Sequence, residues 1–183
     1  MNPKLKVVLI SNSIFVFAGS LLVPLYVLLV SKQGGNIGLA GVLFGLPFLS
    51  SFLTGTFVIF LKDNKLLNRE LLQLNFLIRG FTWLILVFIQ VIPVLVLTQL
   101  LIGISEAIGS PAFNSLVSEN LDDKRHIREW GIWELIKNPL VFLASAISGF
   151  IVIIWGFKML FLVMSLLAFL SLLYFRAYYP KNN

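Results

Sequence analysis

Six apolar stretches, at residues 7–31, 37–61, 71–92, 94–118, 130–154 and 159–176, fill this chain and leave only short polar connectors between them. A chain so arranged has little choice of solvent. Hydrocarbon offers no water to backbone N–H and C=O groups, so a spanning segment must close its own hydrogen bonds. The stretches are therefore expected to be α-helices of an all-α integral membrane protein. At about 1.5 Å of rise per residue, segments of 18 to 25 residues extend roughly 27–37 Å, enough to cross a core of about 30 Å, the longer ones with some tilt. A soluble helical domain is the rival reading. With 58% hydrophobic and 12% charged residues, the chain lacks the polar surface to coat one.

The 183 residues read as one six-helix transmembrane domain, 1–183, with no soluble lobe. A net charge of +6 could point to nucleic acid, but its distribution speaks of topology instead. Lys4 and Lys6 precede the first stretch, and Lys62, Lys65 and Arg69 follow the second. Lys124, Arg125 and Arg128 follow the fourth, and Arg176 and Lys181 close the chain. Only Lys32 and Lys158 fall on the opposite side. The positive-inside rule places that basic side, with both termini, in the cytoplasm. The expected partner is the lipid bilayer of the plasma membrane, crossed several times, and not nucleic acid. The first stretch resembles a signal peptide in its basic start. It is too long for one and has no A-x-A-like cleavage site, so it reads as a retained anchor.

The connectors at 31–36, around Pro93 and at 155–158 are short, while those at 61–70 and 119–129 are longer and charged. Short connectors make sequential helices antiparallel neighbours. Trp155 and Phe157 at one boundary, and Tyr174, Tyr178 and Tyr179 at the other, suit interfacial aromatic belts.

Four ionisable residues interrupt the stretches: Arg79, Glu106, Glu134 and Lys137. A charge at mid-helix costs about 2.5–3.5 kcal/mol on insertion scales, so such residues face a bundle interior, water or each other. Glu106 shares a helical face with Gln99, Gly103, Ser110 and Asn114 at steps of three and four. Two roles stand open for it: contact with a cationic or hydroxylated solute, or neutralisation of Arg79 or Lys137. Glu134, Lys137 and Asn138 share a face near the cytoplasmic start of the fifth stretch, and a local ion pair is expected there. Arg79, in line with Asn75, Thr82 and Gln90, is expected to hold helices together. Asn12, Gly19 and Tyr26 recur at heptad spacing on the first stretch. The sixth stretch has only serines as polar residues and reads as lipid-facing.

Several chemistries find no residues to carry them. The single histidine, His126, lies in a charged connector, so no imidazole serves a metal or proton relay within the membrane. The chain has no cysteine, no Walker-type run and no protease motif. We expect no enzyme activity, no catalytic residue, no cofactor and no metal.

The run from Gln99 through Gly103, Glu106, Pro111 and Ala112, the basic connector with Arg125 and Arg128, then Gly149 and Trp155-Gly156-Phe157 resemble the amino-terminal six-helix half of a major facilitator superfamily transporter. Two three-helix repeats would fit that resemblance: Pro47 is followed by Gly55-Thr56-Phe57-Val58-Ile59, and Pro139 by Gly149-Phe150-Ile151-Val152-Ile153. The departures are informative. In the family's loop motif Gly-x-x-x-Asp-Arg-x-Gly-Arg-Arg, Asp63 matches, but Ile59, Asn64 and Leu66 replace glycine, arginine and glycine, and the basic residues move to Lys65 and Arg69. Gln99 stands where proton-coupled members carry arginine, and Gly149 alone remains of the antiporter signature. These departures weigh against proton-driven drug antiport.

The resemblance implies membrane transport of a small solute through a cavity walled by helices one and four, with helices three and six peripheral. The expected pathway residues are Asn12, Tyr26, Gln99, Glu106 and Asn114. Asp63, Lys65 and Arg69 are expected to form an inner-loop latch. Family members have two six-helix halves, so this chain is expected to work as a homodimer, with a separate second half, or to be a fragment. The alternative is a non-transporting accessory or assembly subunit that uses Gly41-x-x-x-Gly45 and the Gly103 to Gly109 face for helix packing.

Overall fold

The computed structural model describes residues 2–61, 65–121 and 126–179, with Lys65, Leu66 and His126 described by their backbone alone. The chain forms α1 (Pro3–Ser20), a 3-10 turn (Val23–Leu25), α2 (Tyr26–Lys32), α3 (Ile37–Val58), α4 (Lys65–Phe88), α5 (Ile92–Ser118) and α6 (His126–Tyr178). Helix starts follow local chemistry. Asn2 Oδ1 accepts from the Lys4 N–H at 3.0 Å with Pro3 in the first turn, and Asn36 Oδ1 accepts from the Leu39 N–H at 2.8 Å. Pro93 occupies the first turn of α5, where its missing N–H leaves no intrahelical bond unmade.

The first apolar stretch is not one continuous helix. Pro24 removes a donor and crowds the preceding turn, and the helix tightens there into the 3-10 segment before resuming as α2. Gly34, at φ 82°, then ends α2 in a conformation that a side chain would resist.

Among the described residues, five helical runs are long and apolar enough to span a membrane: Pro3–Lys32, Ile37–Val58, Leu67–Phe88, Ile92–Ser118 and Ile127–Tyr178. The count differs from the expected six because the stretches 130–154 and 159–176 join in α6, which is interrupted only at Gly156 (φ 80°, ψ 176°). Three contacts locate its parts. Near its start, Trp133 packs on Phe113 of α5 with centroids 5.1 Å apart. Just past the break, the Phe157 ring lies 5.2 Å from Lys32 Nζ at the end of α2. After its end, the Tyr179 ring lies 4.7 Å from the Arg69 guanidinium at the start of α4.

Helix α5 takes α3 and α4 against it, while α1 and α4 pack on α6. In lipid the hydrophobic effect does not drive helix against helix, so close approach and interhelical hydrogen bonds carry the association. Gly103 shows the first: a Cβ there would run into Ser50 Oγ and the Pro47 carbonyl of α3. Ser50 Oγ also donates to the Leu100 carbonyl of α5 at 3.0 Å. Between α4 and α6, Ser165 Oγ donates to the Gly80 carbonyl at 2.9 Å, and a Cβ on Gly80 would come within 2.9 Å of the Phe169 ring. Thus the serines of the sixth stretch do not simply face lipid. Ser165 and Ser171 are buried, while Leu166, Leu170 and Leu173 of the same arm are exposed. Trp83, Phe76, Phe161 and Phe175 are the largest of the fully buried side chains described.

Candidate functional site

Helices α4 and α5 each carry a polar stripe near mid-length, and packing brings the two stripes face to face. Arg79 Nη2 of α4 donates to Glu106 Oε2 of α5 in a salt bridge. Arg79 Nε donates to Ser105 Oγ at 3.1 Å. The guanidinium carbon lies 5.6 Å from the Phe15 ring centroid and 5.8 Å from that of Trp83, within reach of both electron-rich faces. The cation is thus served by a carboxylate, a hydroxyl and two rings from three helices. The pair is unevenly covered: the Arg79 side chain is 15% exposed and that of Glu106 is 49% exposed.

Two cavities flank the pair and share Gly19, Val23, Arg79 and Glu106 in their walls. The first, of about 300 Å³, is mostly apolar and aromatic, with Tyr26, Phe44, Phe48 and Trp83 around Gln99 and the ion pair. The second, of about 320 Å³, is more polar, with Asn12, Ser20, Asn75 and Ser110. Gly109 shapes it, because a Cβ there would collide with the Asn75 side chain. Two wall groups are buried without a hydrogen bond: the Tyr26 hydroxyl, whose electrostatic neighbour is Gln99, and Asn75 Oδ1. Such a group costs about 1–3 kcal/mol when nothing satisfies it.

Most of the pathway residues expected from sequence converge here. Asn12 lines the second cavity, Tyr26 and Gln99 line the first, and Glu106 borders both. Asn114 is exposed and lines neither. The reason is cumulative: fifteen residues from Gln99 to Asn114 leave about 60° of drift at 100° per residue. The resemblance implied a peripheral third helix, yet the corresponding α4 reaches the cavity through Arg79 and Trp83. Phe15, Trp83 and Ser105 are the site residues that sequence reasoning missed. Trp83 had a usable signal, one turn beyond the intramembrane arginine.

The other intramembrane charges stay local. Lys137 Nζ donates to Glu134 Oε1 within α6, an i,i+3 pair on an exposed face. Of the latch residues, Asp63 and the Lys65 side chain lie outside the described residues. Arg69 stands on the Tyr179 ring with its Nε buried and without a hydrogen bond. Beside it, Asn68 Nδ2 donates to Ser115 Oγ at 2.8 Å, tying α4 to α5. Burial pushes the Tyr179 hydroxyl above its ordinary pKa, a rise that the Asn120 side chain and the Arg69 charge partly offset. Among the described residues, no group of three His, Cys, Asp or Glu side chains gathers as metal ligands would.

An interhelical ion pair between two small cavities can bind and orient a solute. A sequence model described as the Major Facilitator Superfamily matches residues 8–183. No curated protein sequence matches the chain.

Proposed function

The chain belongs to the Major Facilitator Superfamily of membrane transporters, and from that premise we propose that it moves a small solute across the plasma membrane by alternating access, as one six-helix half working with a second. The observation that carries this reading is the Arg79–Glu106 pair, bordered by cavities, midway along α4 and α5. A charge pair inside a membrane bundle is expensive, and such residues mark solute and ion paths.

Six crossings follow from treating Gly156 as a turn. A straight run of 52 residues would extend roughly 78 Å, far beyond one bilayer. The contacts of Trp133, Phe157 and Tyr179 support a reversal at Gly156, with both ends of α6 on the side where α4 begins. With the basic residues crowded at that side, both termini are cytoplasmic. Arg69, on the Tyr179 ring at that end, fits a conformational latch with Asp63 and Lys65 rather than a solute contact.

A second half is required because one bundle supplies one wall of a central cavity. Gly41 and Gly45 of α3 support it, since a Cβ on either would meet nothing within 4 Å and the face is free for another helix. That second half is another copy of this chain or a separate partner. The same open face also favours the accessory-subunit reading. Solute uptake into proteoliposomes separates the two. Uptake that is abolished or altered in pH dependence by E106Q, with the fold retained, supports transport. Preserved membrane assembly with no uptake of any solute supports the accessory role.

A further inference from the structure

Arg79 and Glu106 cancel in net charge but do not face the cavity equally. The guanidinium is held through two of its nitrogens, Nη2 to Glu106 and Nε to Ser105 at 3.1 Å, and lies within reach of the rings of Phe15 and Trp83. The carboxylate is half exposed, and only Oε2 is engaged, so Oε1 is left open on the cavity wall. A positive group bonded to Oε1 would stand nearer the carboxylate than the guanidinium held by the other oxygen. Attraction then exceeds repulsion, and for an anion the inequality reverses. The neighbouring surfaces have the same preference. Phe44, Phe48, Tyr26 and Trp83 line the same cavity, and aromatic faces attract cations and stack on apolar bodies. Tyr26 contributes ring surface alone, since its hydroxyl is buried beside Gln99.

We infer that the solute of this cavity is a small amphipathic organic cation, with its ammonium at Glu106 Oε1 and its apolar body among Phe44, Phe48 and Trp83. The inference names the substrate class of the site proposed above and rests on that reading. A cavity of about 300 Å³ is at the small end for such sites and suits one ring with a short charged arm. The wall contributed by the second half would enclose the remainder.

Three ligands on one frame test it: phenethylammonium, phenethyl alcohol and phenylacetate, which are cationic, neutral and anionic. Binding is measured by calorimetry on the full chain in nanodiscs of zwitterionic lipid. We expect the ammonium to bind roughly tenfold or more tighter than the alcohol, with the carboxylate weakest. E106Q should bring the ammonium down to the affinity of the alcohol. If E106Q fails to fold because Arg79 is left uncompensated, the double variant R79Q/E106Q, which removes both charges, should show the same loss of preference. Equal binding of ammonium and alcohol to the unaltered chain, tightest binding of phenylacetate, or binding of none of the three would overturn the proposal. Cation selectivity without uptake by proteoliposomes would remove the transport reading and leave the cation site standing. Uptake of neutral or anionic solutes that exclude the ammonium would do the reverse.

Discussion

An arginine at mid-membrane persists only if its surroundings replace water, and Arg79 is so surrounded by a carboxylate, a hydroxyl and two rings. Removing the carboxylate leaves a largely buried cation without its counter-charge. We predict that E106Q lowers stability by about 1–3 kcal/mol, below the figure for a fully buried pair because Glu106 is half exposed. R79Q/E106Q should recover much of that loss. Thermal unfolding in mild detergent reads both, and a double variant no more stable than E106Q would deny the coupling. Glu106 was legible from the spacing of its stripe, because helical periodicity is a local property. Its partner was not. Choosing Arg79 over Lys137 needs the rotation of each helix about its axis, which tertiary contacts decide. Asn114 fails for the related reason that drift accumulates over four turns.

At the scale of elements, glycines divide into those already used inside this bundle and those still open. Gly103 lets α5 meet the backbone of α3, whereas Gly41 and Gly45 meet nothing. Gly103→Ala should therefore destabilise the chain by about 1–3 kcal/mol through overpacking, while Gly41→Ala should leave its unfolding temperature unchanged. If the two alanines behaved alike in a detergent melt, the distinction would collapse. Gly156 is a different case, because its positive φ disfavours any side chain. Gly156→Ala should cost roughly 1 kcal/mol and loosen the reversal proposed there, which limited proteolysis near 156 would report. Helices α3 and α5 begin, and α5 ends, within two residues of the bounds that hydropathy gives, while the fifth and sixth stretches merge in α6. The 3-10 break at Pro24 also had a signal in the proline itself, but membrane helices often carry proline without breaking. The inward serines of the last stretch had none, since a lone serine among leucines fits lipid or a neighbouring carbonyl equally well.

Considered whole, the chain presents a half-exposed carboxylate and apolar faces to two different surroundings. Phe52, Phe57 and Ile153 suit lipid. Glu106 does not: with one oxygen free, it asks for water, a solute or a second protein surface. If six crossings hold, reporter fusions after Lys6 and Lys181 should both be cytoplasmic, and opposite locations would leave the count odd. The same cavity wall argues for a partner. A lone bundle would turn the open side of the site toward acyl chains, where Glu106 Oε1 gains no hydrogen bond, whereas a second bundle would close a water-filled path over it. Cross-linking in native membranes and mass measurement in mild detergent should therefore find a dimer or a hetero-complex. A cysteine placed at Gly41 or Gly45 should cross-link to the partner, and one placed at Gly103, already filled by α3, should not. A monodisperse monomer that still takes up solute would defeat the two-half argument. A dimer joined only through the lipid-facing side of α6 would defeat the placement of α3 at the interface.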